Sequence, residues 1–377
     1  MELCGKRILV TGSRGFIGKN LLVHLRQRPE VSVSTFDRGD DVSSLPELVS
    51  QIDIIIHLAG ENRPEDPNAF REANVDLTAA LCAAVQDEVS FADRNIPLFL
   101  ASSTQALQDN AYGRSKLAAE ELLRTLAQIT RNPCLVFRLP GVFGKWCRPH
   151  YNSVVATFCY QIARDLPIQI NDPSVTIRLV YVDDVVKSML TAMSTPPQGL
   201  TQVDIAPEYK VTLGELADQI HAFKECRSSL LSDRVGEGFT RALYATYMSY
   251  LPEQKFAYPL EQHADARGVF VEMLKTHDSG QFSYFTAHPG ITRGEHYHHT
   301  KTEKFLVVKG YALFRFRHIL TNEMVEIRTS AESPEVVDTI PGWAHDITNV
   351  GEDEMIVMLW ANENFDRDNP DTVAAEV

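Results

Sequence analysis

Apolar residues in the first half of the chain fall in short unbroken runs, Arg7–Thr11, Val31–Asp37, Ile52–Gly60, Pro97–Ser103 and Cys134–Pro140. Between them lie stretches with helical spacing, Gly15–Arg28, Asn68–Gln86 and Ala111–Ile129. Strands that are apolar on both sides belong to a parallel sheet covered by helices, so the pattern predicts an α/β doubly wound fold. After about residue 225 the pattern changes, through the polar stretch Cys226–Gly238 and an aromatic connector Phe239–Pro259. Short strand-like runs follow at Val269–Leu274, Gln281–Ala287, Lys304–Val308, Tyr311–His318, Met324–Arg328, Val336–Ile340 and Met355–Trp360. Turn residues such as Pro289-Gly290, Gly310, Asn322, Pro341-Gly342 and Gly351 separate them, which predicts an antiparallel barrel or jelly roll. The expected division is a nucleotide-binding domain over 1–245 and an all-β domain over 253–377.

Composition narrows the function. The 377 residues are 44% hydrophobic and 23% charged, with no apolar run near the ~20 residues that span a bilayer. The apolar run after Lys6-Arg7 leads straight into a glycine-rich turn and not into a cleavage site, so a cytoplasmic location is expected. A net charge of −14 argues against nucleic acid or anionic membrane as partners. Cys4, Cys82, Cys134, Cys147, Cys159 and Cys226 show no CxxC spacing and read as reduced structural thiols.

Directly after the first strand stands Thr11-Gly12-Ser13-Arg14-Gly15-Phe16-Ile17-Gly18. Glycines there permit a sharp turn and close backbone approach, and the following helix start offers free N–H groups to a pyrophosphate. Asp37-Arg38 closes the second strand, where a dinucleotide presents its adenosine ribose. Asp37 suits the ribose hydroxyls of NAD, whereas Arg38 with Arg14 suits the 2′-phosphate of NADPH. Two converging arginines favour NADPH, with NAD as the alternative.

Tyr112 and Lys116 lie four apart on one helix face, and Ser103 ends the preceding strand. In that arrangement the lysine ammonium stabilises the phenolate, Tyr112 exchanges a proton with a carbonyl oxygen, and Ser103 hydrogen-bonds that oxygen. Together with His57-Leu58-Ala59-Gly60 these motifs follow the order of one site. Over roughly residues 6–225 the chain resembles the extended short-chain dehydrogenases/reductases that act on nucleotide sugars, a Rossmann-type family. Asn74-Val75 and Tyr181-Val182-Asp183-Asp184 look like further marks of it. The resemblance implies cofactor contacts from Gly12, Arg14, Gly15, Phe16, Ile17, Gly18, Asp37, Arg38, Leu58, Ala59, Gly60, Asn74, Tyr112 and Lys116. The chain departs from the family at Gly141, where an asparagine is usual, and Ser102 and Thr104 flank the chosen Ser103. The segment Lys145–Ser153 carries basic, aromatic and amide groups that suit a diphosphate and a uracil ring.

In the all-β part, His296 and His298 share one face of an extended segment, Glu303 returns after a turn, and His345 follows Pro341-Gly342. Three imidazoles and a carboxylate suit zinc, with nickel, iron or manganese allowed by the same ligand types. The two motifs resemble those of cupins, which carries a ligand role onto His296, His298, Glu303 and His345. His299 is an additional candidate for acid–base work.

The joined pair resembles a bifunctional family of capsule and O-antigen precursor synthesis. Membership implies that the cupin inverts C3 of UDP-2-acetamido-2,6-dideoxy-β-L-arabino-4-hexulose and the reductase converts its C4 ketone with NADPH. The product is UDP-2-acetamido-2,6-dideoxy-L-talose, on the route to UDP-N-acetyl-L-fucosamine, and the family suggests a homodimer. The chemistry fits the parts, because a C4 ketone acidifies the C3 hydrogen and reduction then removes the ketone. The alternatives are an NAD-dependent sugar-nucleotide 4-epimerase or dehydratase, and a non-catalytic sensor or scaffold that binds the nucleotide sugar.

Overall fold

The structure is a computed structural model that describes residues 3–63, 66, 68–368 and 370–377. The chain forms two compact units: Met1–Ile220 with Arg241–Leu251, and His221–Thr240 with Pro252–Val377. In the first, six strands lie in the order Ser32–Phe36, Arg7–Thr11, Ile54–His57, Leu98–Ser103, Cys134–Leu139 and Leu200–Val203. Every neighbouring pair is parallel. Alternate residues of these strands enter two different cores. Leu9, Ile55, Leu98, Leu100 and Val136 pack on one face, and Ile8, Val10, Ile54, Ile56, Phe99, Leu135 and Phe137 on the other. Both faces are apolar, which is the physical reason the strands read as unbroken runs. The chain leaves Arg7–Thr11 for the neighbour on one side, then returns to the neighbour on the other. That switch opens a crevice at the carboxyl ends of the strands, where the glycine turn lies.

Two features depart from the expected pattern. A second, three-stranded sheet joins Gly141–Phe143, Thr176–Tyr181 and Glu208–Thr212, the last antiparallel to its neighbour. Its middle strand is half exposed and so lacks an apolar run. The helix expected over Asn68–Gln86 is α-helical at Asn68–Arg71, widens to a π turn at Glu72–Asp76, and resumes as α-helix over Leu77–Ala92. Such widened turns cluster at functional sites, and this one carries Asn74.

The second unit is all-β around one core. One antiparallel layer orders Gly268–Thr276, Gln281–Ala287, Met355–Ala361, Glu303–Lys309 and Val336–Asp338. The other orders Met324–Ser330, Tyr311–His318, Trp343–Asn349, Thr292–Tyr297 and Val373–Ala374. Phe285, Phe305, Phe314, Phe316, Ile347 and Val357 fill the space between them, as expected of a cupin. Among the described residues no helix is long and apolar enough to cross a membrane. All six cysteines are free, and burial pushes Cys82 up to about 12 and Cys134 up to about 11.

His57 ends the strand Ile54–His57 fully buried, with Nδ1 2.7 Å from Thr11 Oγ1 and Nε2 2.9 Å from Thr78 Oγ1. Burial, aided by the charge of Lys116, brings its pKa down to about 3. The unfolded chain therefore binds a proton at His57 between about pH 6.5 and 3 that the native fold does not, and stability falls as pH drops through that window. Chemical denaturation at several pH values tests this. His57→Gln is expected to flatten the loss of stability between pH 6.5 and 4, and a slope equal to that of the wild type refutes it.

Candidate active site and metal centre

Bare Cα atoms shape the nucleotide crevice. Gly12 has φ +67°, and a Cβ there would lie 2.5 Å from the Ala59 nitrogen. A Cβ on Gly18 would lie 2.4 Å from the Gly12 carbonyl oxygen. Gly15 begins the helix Phe16–Arg26 without a side-chain cap, so its first N–H groups remain available to a pyrophosphate. Two cavities meet at this turn. One of about 760 Å³ includes Gly12, Arg14, Asp37, Arg38, Ala59 and Gly60 in its lining. The other, of about 610 Å³, takes in Gly12, Gly15, Ser103, Tyr112, Lys116 and Tyr151.

The first cavity holds both of the competing cofactor signals. The buried Asp37 carboxylate accepts from the Ser13 hydroxyl at 2.5 Å and the Arg14 amide at 3.2 Å, which ties it to the glycine turn. Arg14 Nε lies 3.7 Å from Asp37, and Arg38 donates to Glu61 at 2.9 Å. Both guanidinium side chains are at least 80% exposed, so they can swing toward a phosphate in the crevice.

In the second cavity, the helix Ala111–Thr130 starts at Asn110, whose side chain accepts from the Gly113 amide at 2.7 Å. Gly113 lets the helix press against the preceding turn, since a Cβ there would lie 2.3 Å from the Gln105 carbonyl oxygen. That approach brings Tyr112 to Ser103. The Lys116 Nζ donates to the Ala101 carbonyl at 3.1 Å and lies 6.0 Å from the centre of the Tyr112 ring. A Cβ on Gly60 would come within 2.8 Å of that Nζ and 2.7 Å of the Asn74 amide oxygen. Asn74 donates to the Glu61 carbonyl and to Ser115 Oγ, each at 2.9 Å.

Burial pushes the Tyr112 phenol above its usual range, opposed by its hydrogen bond with Ser103. The raised pKa keeps the phenol protonated at neutral pH. Burial also brings Lys116 down to about 8, opposed by Glu120. The hydroxyl ambiguity at 102–104 has a structural answer. Ser102 donates to Glu120 at 2.5 Å, and Arg138 grips the same carboxylate at 2.6–3.1 Å, which leaves Ser103 facing Tyr112.

The segment Lys145–Ser153 meets its expectation only in part. Lys145 Nζ donates to both oxygens of Asp183, at 2.7 and 2.9 Å, and His24 Nε2 lies 2.9 Å from the same carboxylate. Its charge is thus engaged, while Trp146, Arg148, Tyr151, Asn152 and Ser153 line the cavity. Two residues with no signal of their own support this segment. Glu61, next after Gly60, accepts from the Tyr151 hydroxyl at 2.7 Å as well as from Arg38. Tyr250 donates to the Cys147 carbonyl at 2.5 Å, so residues 241–251 return to brace the loop.

In the second unit, His296, His298, Glu303 and His345 converge, with one donor atom from each within 4.8 Å of all the others. A bulge at Glu295, with φ +61°, sets His296 opposite His345 on the neighbouring strand. His298 Nδ1 donates to the Asp371 carbonyl, so its Nε2 presents a lone pair 3.2 Å from Glu303 Oε2. His345 Nε2 is buried and lies 3.5 Å from the same oxygen. Lys301 Nζ lies 3.3 Å from the other oxygen of Glu303, and three imidazoles with a carboxylate are a donor set that fits a divalent metal.

Residues 8–206 match the model of the NAD dependent epimerase/dehydratase family, and residues 263–373 match the polysaccharide biosynthesis C-terminal domain. The chain is 56% identical over 371 residues to the UDP-2-acetamido-2,6-beta-L-arabino-hexul-4-ose reductase of Pseudomonas aeruginosa, covering 98% of this chain and 99% of that one. The crystal structure of the capsular polysaccharide assembling protein CapF from Staphylococcus aureus is similar over 98% of this chain and 100% of its own, with 42% identity and a TM-score of 0.88. A UDP-glucuronic acid 4-epimerase from Bacillus cereus, solved with NAD, shares the fold over 65% of this chain and 98% of its own, at 18% identity and a TM-score of 0.55. This chain therefore belongs to the NAD dependent epimerase/dehydratase family and, within it, to the UDP-sugar reductases that carry a polysaccharide biosynthesis C-terminal domain.

Proposed function

We propose that the first unit reduces the C4 ketone of UDP-2-acetamido-2,6-dideoxy-β-L-arabino-4-hexulose with NADPH. The second, in this reading, inverts C3 of the same sugar, so that the product is UDP-2-acetamido-2,6-dideoxy-L-talose for UDP-N-acetyl-L-fucosamine synthesis. The observation that carries it is the placing of Ser103, Tyr112 and Lys116 around the cavity that begins at the glycine turn. When bound, the reduced nicotinamide supplies hydride to C4. Ser103 orients the ketone oxygen through a hydrogen bond, and the protonated Tyr112 donates its phenolic proton to it. Lys116, with a pKa of about 8, can return a proton to the phenol at neutral pH, and its ammonium suits the nicotinamide ribose hydroxyls. Asn74 and Gly60 hold open the space that the lysine occupies.

In the barrel, His296, His298, Glu303 and His345 would hold zinc, which supplies a Lewis-acidic charge beside the sugar. The C3 hydrogen is acidic because the C4 carbonyl adjoins it, and inversion requires its removal from one face and return to the other. His299, exposed beside the cluster and edge-on to Tyr297 at 5.3 Å, is the candidate base. The proposed protein is a cytoplasmic homodimer.

Replacing Tyr112 by Phe keeps the ring and removes the acid, so NADPH oxidation with the 4-keto sugar is expected to fall about 10²–10⁴-fold. Solvent deuterium uptake at C3, followed by NMR, is expected to persist in that variant. Loss of both signals together breaks the assignment of the two steps to two sites.

The cofactor choice rests on Arg14 and Arg38. Arg38→Ala is expected to raise the KM for NADPH about tenfold and leave that for NADH unchanged, the loss of one charge-assisted bond. Equal effects on both cofactors, or a wild-type preference for NADH, favour the reading in which Asp37 binds the ribose diol.

His345→Ala is expected to abolish stoichiometric zinc in elemental analysis and to suppress C3 exchange, with NADPH affinity unchanged in a fluorescence titration. Undiminished zinc content sinks the ligand assignment.

A further inference from the structure

The turn that joins two of the four converging residues, from His298 to Glu303, is held from outside by the end of the chain. One carboxylate oxygen of Asp371 accepts from the His299 amide at 2.9 Å. The other accepts from the amides of Thr300 and Lys301 at 2.7 and 2.8 Å, and from the Thr300 hydroxyl at 2.9 Å. The main-chain carbonyl of the same residue takes the proton of His298 Nδ1. Three successive amides of a tight turn have no partners in the strands on either side, so this one residue satisfies donors that would otherwise lack an acceptor.

The segment after Asp371 is anchored as well. Val373–Ala374 pairs with the strand of His296, with Ala374 opposite His296 and Val373 opposite Tyr297. The Ala375 amide donates to the Glu295 carbonyl at 2.9 Å, and Arg317 Nε donates to the Glu376 carbonyl at 3.0 Å. His296 therefore lies on a strand flanked on one edge by the strand of His345 and on the other by the chain end.

We infer that Asp371 is a positioning residue for the metal centre. Its carbonyl fixes the His298 tautomer so that Nε2 faces the ion, and its carboxylate sets the spacing between His298 and Glu303. Residues 371–376 are thus part of the site's construction and help to retain the metal. This rests on the reading of His296, His298, Glu303 and His345 as ligands. Partners that orient ligands in this way typically change metal affinity 10–100-fold when removed.

The test uses the full-length protein, zinc and a competing chromophoric chelator. Asp371→Ala is expected to weaken zinc binding about 10–100-fold and to alter the ligand-field spectrum of the cobalt(II)-loaded protein. Both variants keep the main-chain carbonyl, and Asp371→Asn also keeps the size of the side chain but loses the charge. It is expected to fold as the wild type does and to weaken zinc about tenfold or less. Asp366→Ala, an exposed acid of the same tail, is the control and is expected to change neither. Zinc affinity and cobalt spectrum equal to the wild type in both Asp371 variants overturn the inference and leave the ligand reading standing. A wild-type protein that binds neither ion overturns both.

Discussion

A buried ammonium organises the nucleotide-binding unit. Lys116 lies inside the end of the sheet, in contact with the Ala101 carbonyl, while the nearest carboxylate, Glu120, is already bound by Arg138 and Ser102. A charge in that position imposes conditions on its neighbours. Gly60 must lack a side chain because a Cβ would displace the ammonium. His57 must stay neutral, and it does so between two threonine hydroxyls. Asn74 must present its amide across the same space, which the widened helical turn allows. The phenol of Tyr112, half-buried and hydrogen-bonded with Ser103, lines the cavity beside this cation.

The second unit solves the opposite problem. There three imidazoles converge on one carboxylate, a donor set that fits a divalent metal, with the Lys301 ammonium 3.3 Å from the carboxylate's other oxygen. The rigidity comes from the backbone around it. A bulge aligns His296 with His345, and a carboxylate from the chain end holds the turn between His298 and Glu303. In both units the reactive groups are set by carbonyls and amides of elements remote in sequence, which gives them one geometry before any ligand arrives.

The loop Lys145–Ser153 shows how the same residue types can serve different ends. Lys145 and Asp183 form an internal pair, so the loop is fastened by its own cation while Arg148 and the aromatic groups remain at the cavity. Glu61 links that loop, through Tyr151, to Arg38 in the neighbouring cavity. A single carboxylate thus connects the two cavities.

Much of this was legible in the chain. Unbroken apolar runs determined a sheet buried on both faces, the order of strand, glycine turn and helix determined where a dinucleotide would lie, and the i, i+4 spacing put Tyr112 and Lys116 on one face. The alternate histidines with Glu303 and His345 likewise marked four residues that converge in the fold. Tertiary structure alone decided that Ser102 serves Glu120 while Ser103 bonds Tyr112, that Lys145 is held by Asp183, and that Asp371 orders the histidine turn. Those partners are 18, 38 and 70 to 73 residues apart. Periodicity records only what neighbours within a turn or a strand share, whereas the pairing of two polar groups across such distances follows from how the layers pack around them.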